Sequence, residues 1–243
     1  MNSHVQELNR RLTERRIWEA ANPKLAADWA EAMAFDHERT TRLERANRDA
    51  DTRKLVPTEL ARCGFPVMAL DALRNVDVGA QHVVMAKEYL ADPGLLWLAL
   101  LGSVGQGKTV AAAYVARELL ARRGLNNGPT ASETQFCAFV RATTFARLSA
   151  YQVDDKAYFE HLCGVRLLVI DDLGTETLAG MSQAHFEELM DVRYAEKRRT
   201  VITSNLEPAA FNARYHGRIA DRLKQCGLIS AGSGPSLRKR GAA

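Results

Sequence analysis

Cysteine is scarce in this sequence, and its spacing argues against one common kind of structural site. The chain of 243 residues holds four cysteines, Cys63, Cys137, Cys163 and Cys226. No two of them form a CxxC pair, which disfavours a zinc ribbon. A disulfide framework is typical of much smaller secreted chains. We therefore expect four reduced thiols.

Long apolar runs are also missing. The longest strongly apolar run, Leu95–Leu101, is far shorter than the roughly 20 residues that a helix needs to cross a bilayer. The N-terminus, MNSHVQELNRRLTERR, has no apolar core and does not fit a signal peptide. These two absences predict a cytoplasmic protein that does not contact a membrane.

The composition is that of a folded, mildly basic protein. Hydrophobic residues make up 47% of the chain and charged residues 26%, and the net charge is +4. This size suits one globular domain plus a small additional module. Arginine far outnumbers lysine, which favours bidentate contacts with phosphate or carboxylate, although a GC-rich genome gives the same bias. The charge is compatible with nucleic-acid binding without demonstrating it.

The beginning of the chain differs from the rest. Its first 55 residues contain no glycine and a single proline, Pro23, which favours helices. A charge-rich segment ends this region, and it suits either a solvated helix face or an arm that touches a partner. We place the boundary near Pro57, which predicts a helical N-terminal module of residues 1–57 and a larger domain of residues 58–243.

Apolar runs and helical segments alternate along the larger domain. The continuous apolar run Leu95–Leu101 is typical of a parallel strand buried on both faces. Three further strands are predicted at Gln135–Arg141, Val165–Ile170 and Thr200–Thr203. The predicted helices are Gln81–Ala91, Thr109–Arg123, one that begins over Thr144–Ala150, and Ser182–Glu196. This alternation predicts an α/β fold built on a doubly wound parallel sheet.

One glycine-rich stretch joins the first predicted strand to a helix. Its residues, GSVGQGKT, fit the pattern GxxxxGK[ST]. Glycines let backbone amides approach phosphate oxygens, and the start of the following helix adds partial positive charge. Lys108 is expected to reach the β- and γ-phosphates, and the Thr109 hydroxyl to ligate Mg²⁺. The residues predicted to bind nucleotide are Gly102, Ser103, Val104, Gly105, Gln106, Gly107, Lys108 and Thr109.

Two acids follow the strand predicted at Val165–Ile170. They fall at the carboxyl edge of the sheet, where open α/β sheets bind their ligands. Asp171 is expected to hold Mg²⁺, directly or through water, and Asp172 to orient or deprotonate the attacking water. A separate strand lies between the glycine loop and this acid pair. That order suits P-loop ATPases with an additional strand and argues against a small-molecule kinase.

Two further polar signals lie downstream. The strand predicted at Thr200–Thr203 leads into Ser204 and Asn205, and Asn205 is the best candidate to touch the γ-phosphate or its water. Arg218 and Arg222 are spaced i, i+4, so they share one helix face. Either they form ordinary surface ion pairs, or one of them is presented to the ATP of a neighbouring subunit.

In combination, these segments resemble the DnaC/DnaI/IstB group of AAA+ ATPases, and most closely bacterial or phage replicative-helicase loaders. The resemblance covers Cys63 to Arg238 and rests on GFP, GSVGQGKT, VIDDLGTE, RYAEKRRTVITSNL, GRIADRL and GPSLR. It implies a P-loop AAA+ fold of the additional-strand type. Only five residues follow Arg238, so we expect no C-terminal helical lid.

The resemblance also implies roles for individual residues. Asn205 corresponds to the first sensor, and Arg222 to an arginine finger that acts in trans, with Arg218 as the second choice. Arg238 falls on a terminal Ser-x-Arg element that senses nucleotide. ATP and Mg²⁺ are the implied cofactors.

The function that this resemblance implies is ATP-dependent loading of a hexameric replicative helicase onto single-stranded DNA. Residues 1–57 would grip the helicase, while ATP binding and slow, assembly-dependent hydrolysis would switch assembly and release. An IstB-like helper that acts with a transposase on duplex DNA is the alternative. A nucleotide-binding scaffold without turnover is disfavoured by the complete set of acids and Asn205. The loose candidates for DNA contacts, each better explained as a solvated charge, are Arg141, Arg147, Lys156 and the tail Arg238–Arg240.

Overall fold

The computed structural model describes residues 23–24, 57–124, 136–148, 152–176, 181–215 and 217–232. The chain divides into two compact units, residues 1–51 and 52–243. Only residues 23–24, which are helical, are described in the first unit. Most of the predicted N-terminal module, and Arg238 with its basic tail, lie outside the described residues. The boundary near Pro57 stays a prediction.

Five strands in the described part of the chain form one sheet in the order β2-β3-β4-β1-β5. All of the pairings between neighbouring strands are parallel. The strands are β1 (Trp97–Gly102), β2 (Cys137–Arg141), β3 (Leu167–Leu173), β4 (Arg199–Ser204) and β5 (Gly227–Gly232). The predicted α/β fold with a parallel sheet is confirmed.

Helices connect these strands and cover both faces of the sheet. Residues 57–62 are also helical and precede the first labelled helix. The helices are α1 (Val67–Leu73), α2 (Gln81–Ala91), α3 (Lys108–Gly124), α4 (Ala142–Phe145), α5 (Val153–Gly164), α6 (Met181–Ala195), α7 (Pro208–Arg214) and α8 (Arg218–Cys226).

The burial of β1 explains why its sequence is continuously apolar. Every residue of this central strand is buried. Leu98 and Leu100 pack into a core with α1, α2 and α3, whereas Trp97 and Leu101 pack into a second core on the opposite face with α6, α7 and α8. A strand covered on both faces has no position for a polar side chain. The predicted buried strand is confirmed.

Several elements differ from the sequence predictions, and among them helices α1 and α7 were not predicted. The helix predicted over Thr144–Ala150 is wrong, because α4 ends at Phe145. The amides of Arg147 and Leu148 then bond three residues back, and the chain turns. Strand β5 was not predicted, because this edge strand is only partly buried and has a glycine at each end. Helix α5 was missed because Leu162 is its only fully buried side chain in a largely exposed helix.

The structure also bears on the predictions made from the cysteines and from the apolar runs. Cys63, Cys137, Cys163 and Cys226 all carry thiols rather than disulfides, as expected. Among the described residues, no helix has the length and apolar character needed to cross a membrane.

Candidate nucleotide-binding and hydrolysis site

The loop between β1 and α3 is packed too tightly for a side chain at its first residue. Gly102 has a φ of +124°, and a Cβ placed there would lie 2.5 Å from Oε1 of Gln106 and 2.6 Å from the carbonyl oxygen of Gly232. Gly105 and Gly107 also have positive φ values. The loop therefore has the backbone conformation that turns amides towards a bound anion.

Lys108 places a positive charge within this loop. The residue is buried, and its Nζ donates hydrogen bonds of 2.7 Å to the carbonyl oxygens of both Gly102 and Ser103. It is also the first residue of α3. The ammonium group of Lys108 and the N-terminus of α3 therefore both favour negative charge at the glycine loop.

One carboxylate oxygen joins three elements at the carboxyl edge of the sheet. Oδ1 of Asp171 accepts hydrogen bonds from Oγ1 of Thr109, at 2.9 Å, and from Oγ1 of Thr203, at 2.7 Å. These residues lie on β3, α3 and β4. Strand β4 lies between β3 and β1 in the sheet. Hydroxyl and carboxylate oxygens are the ligands that Mg²⁺ prefers, so Thr109 and Asp171 fit the ion predicted for them.

The buried position of Asp171 changes its acidity. Only 4% of the residue is exposed. Burial raises the pKa of its carboxyl group, and the hydrogen bond from Thr203 opposes this effect. The nearby charge of Asp172 raises the pKa further, whereas the bond from Thr109 lowers it. The net result is a raised pKa, which a bound divalent cation would reverse.

Asp172 and Asn205 form a second pair beside this oxygen. Nδ2 of Asn205 lies 3.2 Å from Oδ1 of Asp172. Asp172 has a φ of +58°, and its backbone amide donates to Oγ1 of Thr203 at 2.9 Å. Thr203 therefore orients both acids at once. A left-handed conformation in a residue other than glycine is typical of functional sites, where neighbours hold it in place.

Thr203 is a residue of the candidate site that sequence reasoning did not single out. It stands in the polar triplet that ends β4, from which Asn205 was chosen as the sensor. The pairing of β3 with β4 is irregular between Ile170 and Leu173. Since that irregularity decides which β4 residue faces the acids, the pattern of the sequence could not have distinguished them.

His82 is a second residue that the sequence did not indicate. This buried side chain on α2 has its Nδ1 2.9 Å from Oγ of Ser230 on β5. A Cβ on Gly232 would lie within 3 Å of both His82 and Gln106. Burial lowers the pKa of His82, and the charge of Lys108 acts in the same direction. The lowered pKa favours a neutral imidazole, which lies beside Gln106 of the glycine loop.

Arg222 contacts two residues of α6. Its guanidinium donates a hydrogen bond to Asp191 on α6 and lies 4.9 Å from the centre of the Tyr194 ring. The ion-pair alternative is thus observed within the chain, while a role in trans stays a prediction. Arg218 begins α8, and its side chain is outside the described part of the structure.

The basic residues considered for DNA contacts lie at the surface. Arg141, Arg147 and Lys156 are all exposed. Arg141 ends β2 and pairs with Asp171 in the ladder, where its charge lowers the pKa of that acid. Their part in DNA binding stays a prediction.

Fold and site together define the class of protein. A glycine loop after β1, an acid pair on β3 and a strand between these two strands are the features of the AAA+ type of P-loop fold. The family model for the IstB-like ATP binding protein matches residues 95–240, more than half of the chain. This protein belongs to the family of IstB-like ATP binding proteins.

Individual proteins are also similar to this chain. The chain is similar to the uncharacterized protein YdaV of Escherichia coli strain K12, at 27% identity over 212 residues that cover 84% of this chain and 81% of YdaV. The crystal structure of DnaI matches with a TM-score of 0.53 at 24% identity, covering 68% of this chain and 89% of that one. AMPPCP-bound DnaA from Aquifex aeolicus matches at 0.51 and 21% identity, covering 65% and 49%. The two structures share the fold.

Proposed function

We propose that this protein is an ATPase whose nucleotide site is built from the glycine loop, the acid pair and Asn205. One observation carries this proposal: Oδ1 of Asp171 accepts bonds from both Thr109 and Thr203, while Asp172 pairs with Asn205. A scaffold that only bound nucleotide would not need the second acid and its amide partner. The ATP-binding family supports the choice of nucleotide.

Each residue of the site has a separate task in this proposal. Lys108 and the loop amides bind the β- and γ-phosphates, and Thr109 with Asp171 holds Mg²⁺. The bound ion would neutralise charge that develops on the phosphates. Asp172 orients the attacking water and accepts its proton, while the amide of Asn205 donates to the water or to a γ-phosphate oxygen.

The remaining part of the site comes from a neighbouring subunit. Arg222 would leave Asp191 and Tyr194 and neutralise charge on the γ-phosphate of the adjacent protomer. An arginine supplied in this way contributes about 10³–10⁵-fold in rate. Hydrolysis would then be slow in a single subunit and faster in an assembly.

The cellular role that we propose is loading a hexameric replicative helicase onto single-stranded DNA. Support comes from the resemblance of the sequence motifs to those of replicative-helicase loaders. The match with DnaI, which covers 89% of that chain, agrees with this proposal in fold. Residues 1–57 would bind the helicase, and ATP would time assembly on DNA and release.

Co-purification of the full chain with the replicative helicase of its host, with and without ATP, tests this role. Hydrogen–deuterium exchange on the complex identifies the binding segment. We expect a stable complex with protection concentrated in residues 1–57. A lack of complex formation in both nucleotide states would contradict the loader.

A transposition helper is the second candidate, because the matching family model is named for IstB-like proteins. The two roles predict different DNA. Fluorescence anisotropy with a labelled single strand and the equivalent duplex, each with a non-hydrolysable ATP analogue, separates them. Preference for the single strand supports the loader, and preference for the duplex supports the helper.

A further inference from the structure

A buried carboxylate lies just beyond the acid pair and has no role in the proposed hydrolysis. The side chain of Glu176 is 0% exposed, at the end of the turn that follows β3. Burying a carboxylate is costly unless it is paired and hydrogen-bonded. Its partners therefore show what this residue holds together.

The partners of Glu176 lie on two different elements. On its own turn, Oε2 accepts the backbone amide of Gly174 at 2.6 Å. On the far side, Oε1 accepts the hydroxyl of Tyr215 and lies 3.5 Å from Nη2 of Arg214. The same guanidinium donates to the carbonyl oxygen of Glu176 at 2.5 Å. Arg214 is the last residue of α7, and Tyr215 follows it.

One end of this connection reaches the acid pair. The carbonyl oxygen of Asp172 accepts both the amide of Thr175, at 3.2 Å, and its hydroxyl, at 2.8 Å. Asp172 and Glu176 are thus the two ends of one closed turn. Asp172 is also held by Thr203 and Asn205, so its position does not depend on Glu176 alone.

The other end reaches the helix that carries the arginines. Gly217, two residues after Tyr215, precedes α8 with a φ of +81°, and a Cβ added to it would meet no atom of the described residues within 4 Å. Tyr215 itself is buried and packs against Phe186 and Phe211, and α8 begins three residues after it. The polar contacts of Arg214 and Tyr215 with Glu176 therefore fix the chain shortly before Arg218 and Arg222.

We propose that Glu176 is a positioning residue that sets the orientation of α8, and thereby of Arg222, towards the ATP of the neighbouring subunit. This inference rests on the proposed trans-acting finger. Weakening the contacts of Glu176 frees the end of α7 and misplaces the arginine on α8. The glycine loop and the acid pair of the same subunit keep their own contacts. The substitution should therefore impair the arginine that a subunit supplies to its neighbour and leave its own binding of ATP intact.

Two substitutions test the connection with little change in volume. Glu176→Gln replaces one acceptor oxygen by a donor, and Tyr215→Phe removes the hydroxyl while keeping the ring against Phe186 and Phe211. Each loses about one buried hydrogen bond, so we expect turnover to fall about tenfold. ATP affinity should stay within about twofold, because neither side chain touches the P-loop. The matched control is Glu187→Gln, an exposed glutamate on α6 that bonds to Gln183, and it should behave as wild type.

Mixing subunits decides whether Glu176 acts through the neighbour. Asp172→Asn subunits keep the P-loop and Arg222 but lack the catalytic acid, so they can supply the finger without hydrolysing ATP. An excess of these subunits should restore the turnover of Glu176→Gln, Tyr215→Phe and, as a reference, Arg222→Ala.

The outcomes distinguish a failure of this inference from a failure of the proposed trans-acting finger, on which it rests. If Arg222→Ala is restored and Glu176→Gln and Tyr215→Phe are not, Glu176 acts within its own site and the inference is wrong. Wild-type turnover in both variants also overturns it. If Arg222→Ala itself is not restored, the trans-acting finger fails, and the inference fails with it. Should Glu176→Gln not fold, Tyr215→Phe alone gives the same decision.

Discussion

Lys108 is a buried charge in the loop that we propose as the nucleotide site. Its ammonium bonds to two carbonyl oxygens of the loop, groups that carry only partial negative charge. A phosphate would offer full negative charge at the same place, so we expect the lysine to favour the nucleotide-bound state. The proposal therefore predicts that this residue matters more for ATP affinity than for folding.

Substitution of Lys108 tests that statement. Lys108→Ala removes a charge-assisted contact with phosphate, and we expect ATP affinity to fall about 100-fold or more. Titration of a fluorescent ATP analogue measures the change. Lys87→Ala, which removes a lysine bonded to the carbonyl oxygen of Val78, is the control and should bind as wild type. Unchanged affinity in Lys108→Ala would disprove the site assignment.

Asp171 offers a test of how the proposed metal site balances stability against function. Asparagine keeps an oxygen that accepts from Thr109 and Thr203 but carries no charge. Because the buried charge is unfavourable in the absence of Mg²⁺, Asp171→Asn should raise the free energy of unfolding of the metal-free protein. The same change removes a ligand charge, so Mg²⁺-dependent ATP turnover should fall about 100-fold or more.

The effect of Asp171→Asn on the free energy of unfolding should depend on pH in one defined direction. Folding raises the pKa of Asp171 above its ordinary value of 3.8, so the folded state binds the proton more tightly than the unfolded state. The stability that the protonated carboxyl group of Asp171 contributes is fully present below pH 3.8. It is lost as the pH rises through the raised pKa. The advantage of Asp171→Asn should therefore grow with pH over that window and then level off. Urea unfolding with a chelator over a pH series measures it, and a difference independent of pH would contradict the buried charge.

At the scale of elements, Arg193 joins helix ends to the sheet. It is fully buried on α6 and donates to the carbonyl oxygens of Leu162 and Val165, at 2.8 and 2.9 Å, and to Oγ1 of Thr200 at 2.9 Å. Burial lowers its pKa to about 10, so it stays charged at neutral pH. The end of α5 and the start of β4 are thus held by one guanidinium.

Removing this side chain should destabilise the fold without altering the site. Arg193→Met leaves several buried carbonyl groups without donors, which we expect to lower the free energy of unfolding by about 3 kcal/mol or more. Arg193→Lys keeps the charge but not the planar fork and should have an intermediate effect. Arg166→Met, which changes an exposed arginine just before β3, is the matched control. Equal stability of Arg193→Met and wild type in urea unfolding would contradict the structural role.

The same elements show what the sequence could and could not predict. Strand β1 was predictable because two-sided burial requires a continuous apolar run, and the glycine loop because its conformation requires particular residues. Arg193, Thr203 and Glu176 stand in segments whose family resemblance was visible, but polar residues leave no periodic pattern. Their partners come from distant parts of the chain, as Tyr215 does for Glu176, so only the folded arrangement identifies their roles.

At the scale of the whole molecule, the two parts of the proposed ATP site differ in whether hydrogen bonds within one subunit join their residues. Asp171, Asp172 and Asn205 are joined by direct or shared hydrogen bonds within one subunit. Arg222 instead contacts Asp191 and Tyr194 on α6. Under the proposal, one subunit holds the residues expected to bind ATP, and the finger acts on the ATP of a neighbour.

This division predicts that turnover per subunit depends on protein concentration. We expect the wild-type rate to rise as subunits assemble, because each ATP then gains an arginine worth about 10³–10⁵-fold. Arg222→Ala should bind ATP with wild-type affinity but lose this rise, whereas Arg74→Ala, which removes an exposed arginine paired with Asp71, should keep it. Steady-state ATPase assays across a dilution series, with the assembly state followed by light scattering, measure both quantities. A rate per subunit that stays constant from the dilute monomer to the assembled protein would show that the site is complete within one chain and that Arg222 is a structural residue of α8.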